Sequence, residues 1–359
     1  MAWFEPESSR RQRFARTISP LEIAEILDLT PRAHSLVLGG MEFIPGTSGL
    51  APKPAARALH TLRLVAPSSD LDLQQILDLL SHFTSLSTLS LRNIEPMLDL
   101  PTSLTPPVHL VEVEHLELSF RLAETGAVWL DRVCSHIDAS TITSLTVHDV
   151  VSLHDDDAMA PAFHRLLARC TALRSITVQD FVYRGLLSYP STHPTLRELR
   201  FLGSCSYDTT GVRSSLRDSI GESMNSTLGS TVQELFCELK VINDILQDES
   251  ELDTAALARS FRRMLEVLDW PVLNAVVAQL RALTINMKLE LRKTVTVQTQ
   301  GTSLRRAEGF SISIRSEQYE WPGDSDVYRS ILDSVVRNRL TLSADQRLDL
   351  RVSFSPVFR

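Results

Sequence analysis

Hydrophobic and polar positions alternate in short blocks that recur along the first two-thirds of the chain. LHTLRL (59–64) carries apolar residues at its first, fourth and sixth positions, and LSTLSL (86–91), VEHLEL (113–118) and ITSLTV (142–147) repeat the pattern. LRSITV (173–178) and LRELRF (196–201) continue it, and AHSLVL (33–38) is a first member with a smaller leading residue. The fourth positions are Leu36, Leu62, Leu89, Leu116, Leu145, Ile176 and Leu199, about 27 residues apart. Alternation of period two predicts a short strand whose fourth and sixth side chains share one face while the fifth points to the other. One such strand cannot close a core. Parallel neighbours stacked beside it bury a continuous aliphatic stripe.

Between the strands, apolar residues fall at helical spacing. Residues 71–83 place Leu73, Ile76, Leu77 and Leu80 on one face; 128–137 place Val128, Val133 and Ile137; 160–169 place Phe163, Leu166 and Leu167. A strand and a helix in each period of this length match the roughly 20–29 residues of leucine-rich repeats. The expected fold is an α/β leucine-rich-repeat solenoid, with parallel strands on the concave side and helices on the convex side. The usual motif places an asparagine at its ninth position; here that position holds Met41, Pro67, Ile94, Arg121, Val150, Phe181 and Ser204. The repeat is therefore of an irregular type.

Beyond Phe201 the period lengthens. VQELFC (232–237) and LRALTI (280–285) fit the motif, but the steps from Leu199 to Leu235 and on to Leu283 are larger. A helix is expected over 254–268, ending before Pro271. Strands are expected over 291–299, 310–315 and 348–354, and a helix over 327–340. The expected division is a basic arm and capping helix (1–30), regular repeats (31–205), and enlarged repeats with an irregular C-terminal cap (206–359). A separate α+β domain is the alternative for the last part.

The spacing of the strand motifs, their missing asparagines and SHFTSLSTLSLRNI (81–94) together resemble the fungal F-box-associated leucine-rich-repeat proteins, over roughly residues 30–290. The resemblance implies an amino-terminal F-box that binds the adaptor of a cullin-type ubiquitin ligase, with the repeats holding a substrate. Pro20, Glu22, Ile23, Ile26, Leu27 and Leu29 are similar to the opening of that module. The spacing after the proline is one residue short, and AHSLVL follows too soon for the module's remaining helices. The segment reads as a capping helix of the first repeat.

Composition narrows the function. The chain has 359 residues, 43% hydrophobic and 22% charged, as expected of a folded protein. A net charge of −8 disfavours nucleic acid and anionic lipid, so the expected partner is another protein. No apolar run approaches the ~20 residues of a membrane-spanning helix and no secretory leader is seen, so a cytoplasmic or nuclear location is expected. Cys134, Cys170, Cys205 and Cys237 form no CxxC pair and are expected as reduced thiols. Arg10, Arg11, Arg13 and Arg16 make a small basic arm, expected to be solvated.

Catalytic patterns are weak. GESMN (221–225) ends in Asn225 where a nucleophile elbow needs glycine, so Ser223 is expected to be inert. His154, Asp155, Asp156, Asp157 and His164 are metal-ligand types, with His148 and Asp149 upstream, but they have neither calcium-loop nor zinc-helix spacing. Helix capping explains the aspartates better. Neither GxGxxG nor a P-loop occurs. No enzyme, cofactor or metal is expected.

The candidate binding residues are the strand positions between the buried ones. The central column is Arg63, Ser90, Glu117, Thr146, Thr177 and Arg200. One flank adds Thr61, Thr88, His115, Ser144, Ser175 and Glu198; the other adds Val65, Arg92, Ser119, His148, Gln179 and Leu202. This surface is polar, of mixed sign and without an aromatic anchor, which leaves Tyr319 and Trp321 in the tail as further candidates for contact.

Overall fold

The computed structural model describes residues 16–39, 41–43, 57–65, 73–94, 109–122, 126–152, 159–179, 193–208, 211–214, 231–245, 254–268, 270–300, 310–319 and 324–354. Two compact units divide the chain, Met1–Asp138 and Ala139–Arg359, with the division inside the segment of regular motifs. Both are α/β, with sheets paired mainly in parallel.

In the first unit, β1 (Arg16–Ile18) pairs in parallel with β3 (Met41–Phe43). Helix α1 (Pro20–Leu29) lies between them in sequence and starts as its residues dictate. Ser19 and Glu22 form a capping box: Glu22 N–H donates to Ser19 Oγ at 3.2 Å, and Ser19 N–H to Glu22 Oε2 at 2.7 Å. Pro20 takes the first helical position, where its missing N–H costs nothing. Strands β2 (Ser35–Gly39), β4 (Arg57–Val65), β5 (Phe83–Ile94), β6 (Val111–Leu122) and β7 (Ile137–Asp138) pair in that order, all in parallel.

The motif sets the register. Leu36 lies opposite Leu62, Leu62 opposite Leu89, and Leu89 opposite Leu116. Leu62, Leu64, Leu89, Leu91, Leu116 and Leu118 are buried, whereas Leu36 on the edge strand is half-buried. The crossover helices supply the other wall of this core. Helix α2 (Leu73–Leu80) buries Leu73, Ile76, Leu77 and Leu80, and α3 (Gly126–Ser135) buries Trp129, Leu130 and Val133. Val128 is largely exposed, so α3 turns one residue away from the face expected for it.

The second unit carries the same register further. Its parallel strands are β8 (Ser144–Ser152), β9 (Ser175–Gln179), β10 (Glu198–Asp208), β12 (Glu234–Ile245), β13 (Ala282–Gln300) and β15 (Arg347–Phe354). Leu145, Ile176, Leu199, Leu235, Leu283 and Leu348 stand opposite one another from strand to strand. The long steps after Leu199 therefore leave the pairing unshifted. Helices α5 (Thr254–Val267) and α6 (Trp270–Val277) occupy part of the added length; α4 (Met159–Arg169) lies earlier, between β8 and β9. Two strands depart from the parallel pattern. β11 (Gly211–Ser214) folds back antiparallel on β10, and β14 (Phe310–Tyr319) lies antiparallel to the distal half of β13. The segment expected as a separate strand at 291–299 is thus the continuation of β13.

Pro271 ends one helix and begins the next. It sits second in α6, a place that needs no donor, and Trp270 Nε1 donates to Leu265 O at 2.6 Å across the joint. Helix α7 (Ser325–Arg339) packs on α5 and β15. Its buried Tyr328 makes edge-to-face contacts with Phe261 at 5.6 Å and Phe354 at 6.2 Å. Gln346 Nε2 donates to Val277 O and Leu280 O, which ties the segment before β15 to the end of α6.

A backbone ladder joins successive strands near their starts. Arg174 and Ser175 both donate N–H to Thr143 O, Arg197 and Glu198 to Arg174 O, Gln233 and Glu234 to Arg197 O, and Arg281 and Ala282 to Gln233 O, at 2.7–3.2 Å. Arg347 N–H extends the series to Arg281 O at 2.9 Å. In the first unit His60 and Thr61 do the same to His34 O. In most of these steps one main-chain carbonyl accepts from two donors of the next strand, with no side-chain requirement.

Candidate binding face

Alternation along each strand turns every second side chain away from the leucine core. In the first unit this outer face carries Val37, Arg63, Ser90 and Glu117 as directly paired neighbours. Ser35, Thr61, Thr88 and His115 form the column on one side, and Gly39, Val65 and Arg92 that on the other. In the second unit the central column runs Thr146, Thr177, Arg200, Phe236, Thr284 and Asp349. Ser144, Ser175 and Glu198 flank it on one side. His148, Gln179, Leu202, Glu238, Asn286 and Arg351 flank it on the other. The central column and its first flank lie on paired strands within each unit, whereas Ser119 is buried on β6 beyond a register irregularity and is not paired with Arg92. The side chain of Gln179 lies outside the described residues.

Several face residues went unread in the sequence. The half-buried ring of Phe236 continues the central column, and Arg200 stacks its guanidinium 5.3 Å from the ring centroid. Cation and ring form the aromatic anchor that the columns ending at Arg200 lack. The signal was present, since VQELFC places Phe236 at the fifth position of an eighth motif. Asn286, Lys288 and Glu290 follow on β13, and Asp349 and Arg351 on β15. Tyr319 ends β14 in the backbone register, but its side chain and Trp321 lie outside the described residues.

Several charges on the second unit's face are paired. Arg200 Nε donates to Glu198 at 2.6 Å, Arg351 to Asp349 at 2.5 Å, and Asn286 Nδ2 to Glu238 at 2.8 Å. The Arg351 hydrogen bond, opposed by partial desolvation, holds the Asp349 carboxyl below the usual carboxylate range. Lys240 Nζ lies 2.6 Å from Glu290, whose carboxylate is 2% exposed. A carboxylate so enclosed is kept there by its cation.

The first unit's face differs. Arg92 Nη2 donates to Glu117 Oε1. Ser90, at 0% exposure, has no hydrogen-bond partner for its Oγ, and the buried Nε groups of Arg63 and Arg92 have none either.

The described residues hold no group of three or more His, Cys, Asp or Glu placed to bind a metal. Asp155, Asp156 and Asp157, with His154, lie outside the described residues, as does Ser223; His164 is in α4. Burial pushes the thiols of Cys170 and Cys237 up to about 12, which keeps them protonated and poorly nucleophilic. Cys134 is buried and in no disulfide, and Cys205 occupies β10 with its side chain outside the described residues. No described helix is long and apolar enough to cross a membrane. Comparison of the chain with protein-family models, with curated proteins and with solved structures finds no match.

Proposed function

We propose that the chain is a leucine-rich-repeat solenoid acting as a non-enzymatic protein–protein interaction scaffold, with the outer strand face as its contact surface. One observation carries this reading. In each unit the apolar motif positions stack in direct register, so the residues between them form ordered polar columns on the opposite side. Such columns give a partner many adjacent, independently variable side chains on rigid backbone. The Arg200–Phe236 pair adds the residue types that dominate interface energies. A photo-crosslinking amino acid placed at Thr177 or Thr284 in cells tests the reading. Protein adducts should form there and not from the exposed helix positions Arg263 and Glu266. Adducts from the helix positions alone would refute it.

A second reading, the substrate-recognition subunit of a cullin-type ubiquitin ligase, draws on α1. This helix leaves Ile26 48% and Leu29 84% exposed, an apolar pair open to contact. Co-purification with the ligase adaptor, lost on Ile26→Asp or Leu29→Asp, would support this role. Failure of the intact chain to co-purify would remove it.

A further inference from the structure

We infer that Arg63, Ser90 and Arg92 form a carboxylate-receiving site on the first unit's strand face, filled by an acidic side chain from a segment of a partner protein. The inference rests on the reading of that face as a contact surface. Arg63 and Ser90 are direct cross-strand neighbours, and Arg92 follows two residues after Ser90 on the same face. All three present an unused donor: the Ser90 hydroxyl and the Nε–H groups of Arg63 and Arg92 are buried without partners. A buried polar group left unpaired is costly, and a cluster of three on adjacent positions marks a place where an acceptor belongs.

The acceptor's chemistry follows from the donors. Arginine binds a carboxylate side-on through Nε and one Nη. Glu117 engages Arg92 only through Nη2, so the Nε edge stays open. Arg63 offers its Nε edge beside the Ser90 hydroxyl. The planar carboxylate matches the side-on Nε and Nη donors of a guanidinium. On the second unit's face, by contrast, Glu198 takes Arg200, Glu290 takes Lys240 and Asp349 takes Arg351.

The test is fluorescence anisotropy of a labelled oligoglutamate peptide with the full-length chain, using oligoglutamine as a control and inorganic phosphate as a competitor. Binding should be saturable and weaken at higher salt. It should fall about tenfold or more in Arg63→Gln, the loss expected of a charge-assisted hydrogen bond. Arg351→Gln, on the other unit, should leave it unchanged. Ser90→Ala, a smaller perturbation, should weaken binding several-fold and serves if Arg63→Gln does not fold. Absence of saturable binding, equal binding of oligoglutamine, an equal loss in Arg351→Gln, or displacement by phosphate at lower concentration than by acetate would each overturn the proposal. If the peptide fails while crosslinks persist at Thr177 and Thr284, this site alone is wrong. If both fail, the strand face is not a contact surface.

Discussion

Replacing Leu89 with alanine removes about three methylene equivalents from the middle of the first unit's core. Leu89 has 0% exposure and stands between Leu62 and Leu116, themselves 0% and 1% exposed. Transfer of the lost carbons to water accounts for about 2 kcal/mol at ~0.8 kcal/mol each. Rigid neighbours on both adjacent strands and on α2 limit collapse into the gap, so the cavity adds to that cost and the total falls at about 3–4 kcal/mol. With a urea slope of ~1–3 kcal/mol/M, the midpoint should drop by about 1–4 M. Because the chain forms two units, the assay must report on the first one. Hydrogen exchange of β4–β6 amides, followed by mass spectrometry through a urea series, does so. Leu29→Ala, at an 84% exposed site, should shift stability by less than about 0.5 kcal/mol. A Leu89→Ala effect as small as that of Leu29→Ala would refute the stacked register.

Three further outcomes are expected. Ser19→Ala removes the α1 cap and should speed amide exchange in its first turn several-fold, as seen by mass spectrometry of that peptide; unchanged rates would mean the capping box contributes nothing. Burial lowers the His193 pKa below its ordinary value near 6.5, an effect partly opposed by hydrogen bonds to the Cys170 and Leu167 backbone. The unfolded chain therefore binds the proton first, and stability should fall as pH drops through about 6.5 towards the lowered folded value. Thermal melts across this range should show a shallower slope for His193→Gln. Finally, Cys170 and Cys237 should resist maleimide labelling in the native protein at neutral pH and label fully in urea, as read by peptide mass spectrometry.

The parallel register was legible because it depends on a rule with little freedom. A strand of period two that buries one face fixes the pairing to within a residue, since a slip of one would expose Leu62 or Leu145. Helix α1 was legible for a local reason, the Ser19–Glu22 capping box with Pro20 behind it. The enlarged turns were harder. Extra residues between strands do not disturb pairing, so the long steps around Leu235 and Leu283 carried no information about register. The 19-residue β13 was read as two pieces because the motif accounts only for residues up to Ile285 and the alternating run was recognised again only from Leu291.

Other features leave no trace in the sequence. The carbonyl ladder that joins neighbouring strands is main-chain chemistry, available to any residue, so no side chain announces it. The outer face was legible as positions but not as chemistry. Which arginines pair and which keep Nε free depends on side-chain geometry across strands, as the contrast between Arg63 and Arg351 shows.

The most direct test of the central claim is a cysteine pair across one of the long steps. Phe236 and Thr284 are aligned neighbours on β12 and β13. Adjacent strands lie roughly 4.8 Å apart, within the ~4.4–6.8 Å Cα range of disulfides. Phe236→Cys with Thr284→Cys should crosslink on mild oxidation, detected as the joined peptide by mass spectrometry, whereas Phe236→Cys with Ile285→Cys should not. A disulfide in the offset pair, or none in the aligned pair of the folded protein, would contradict the stacked register on which the contact face depends.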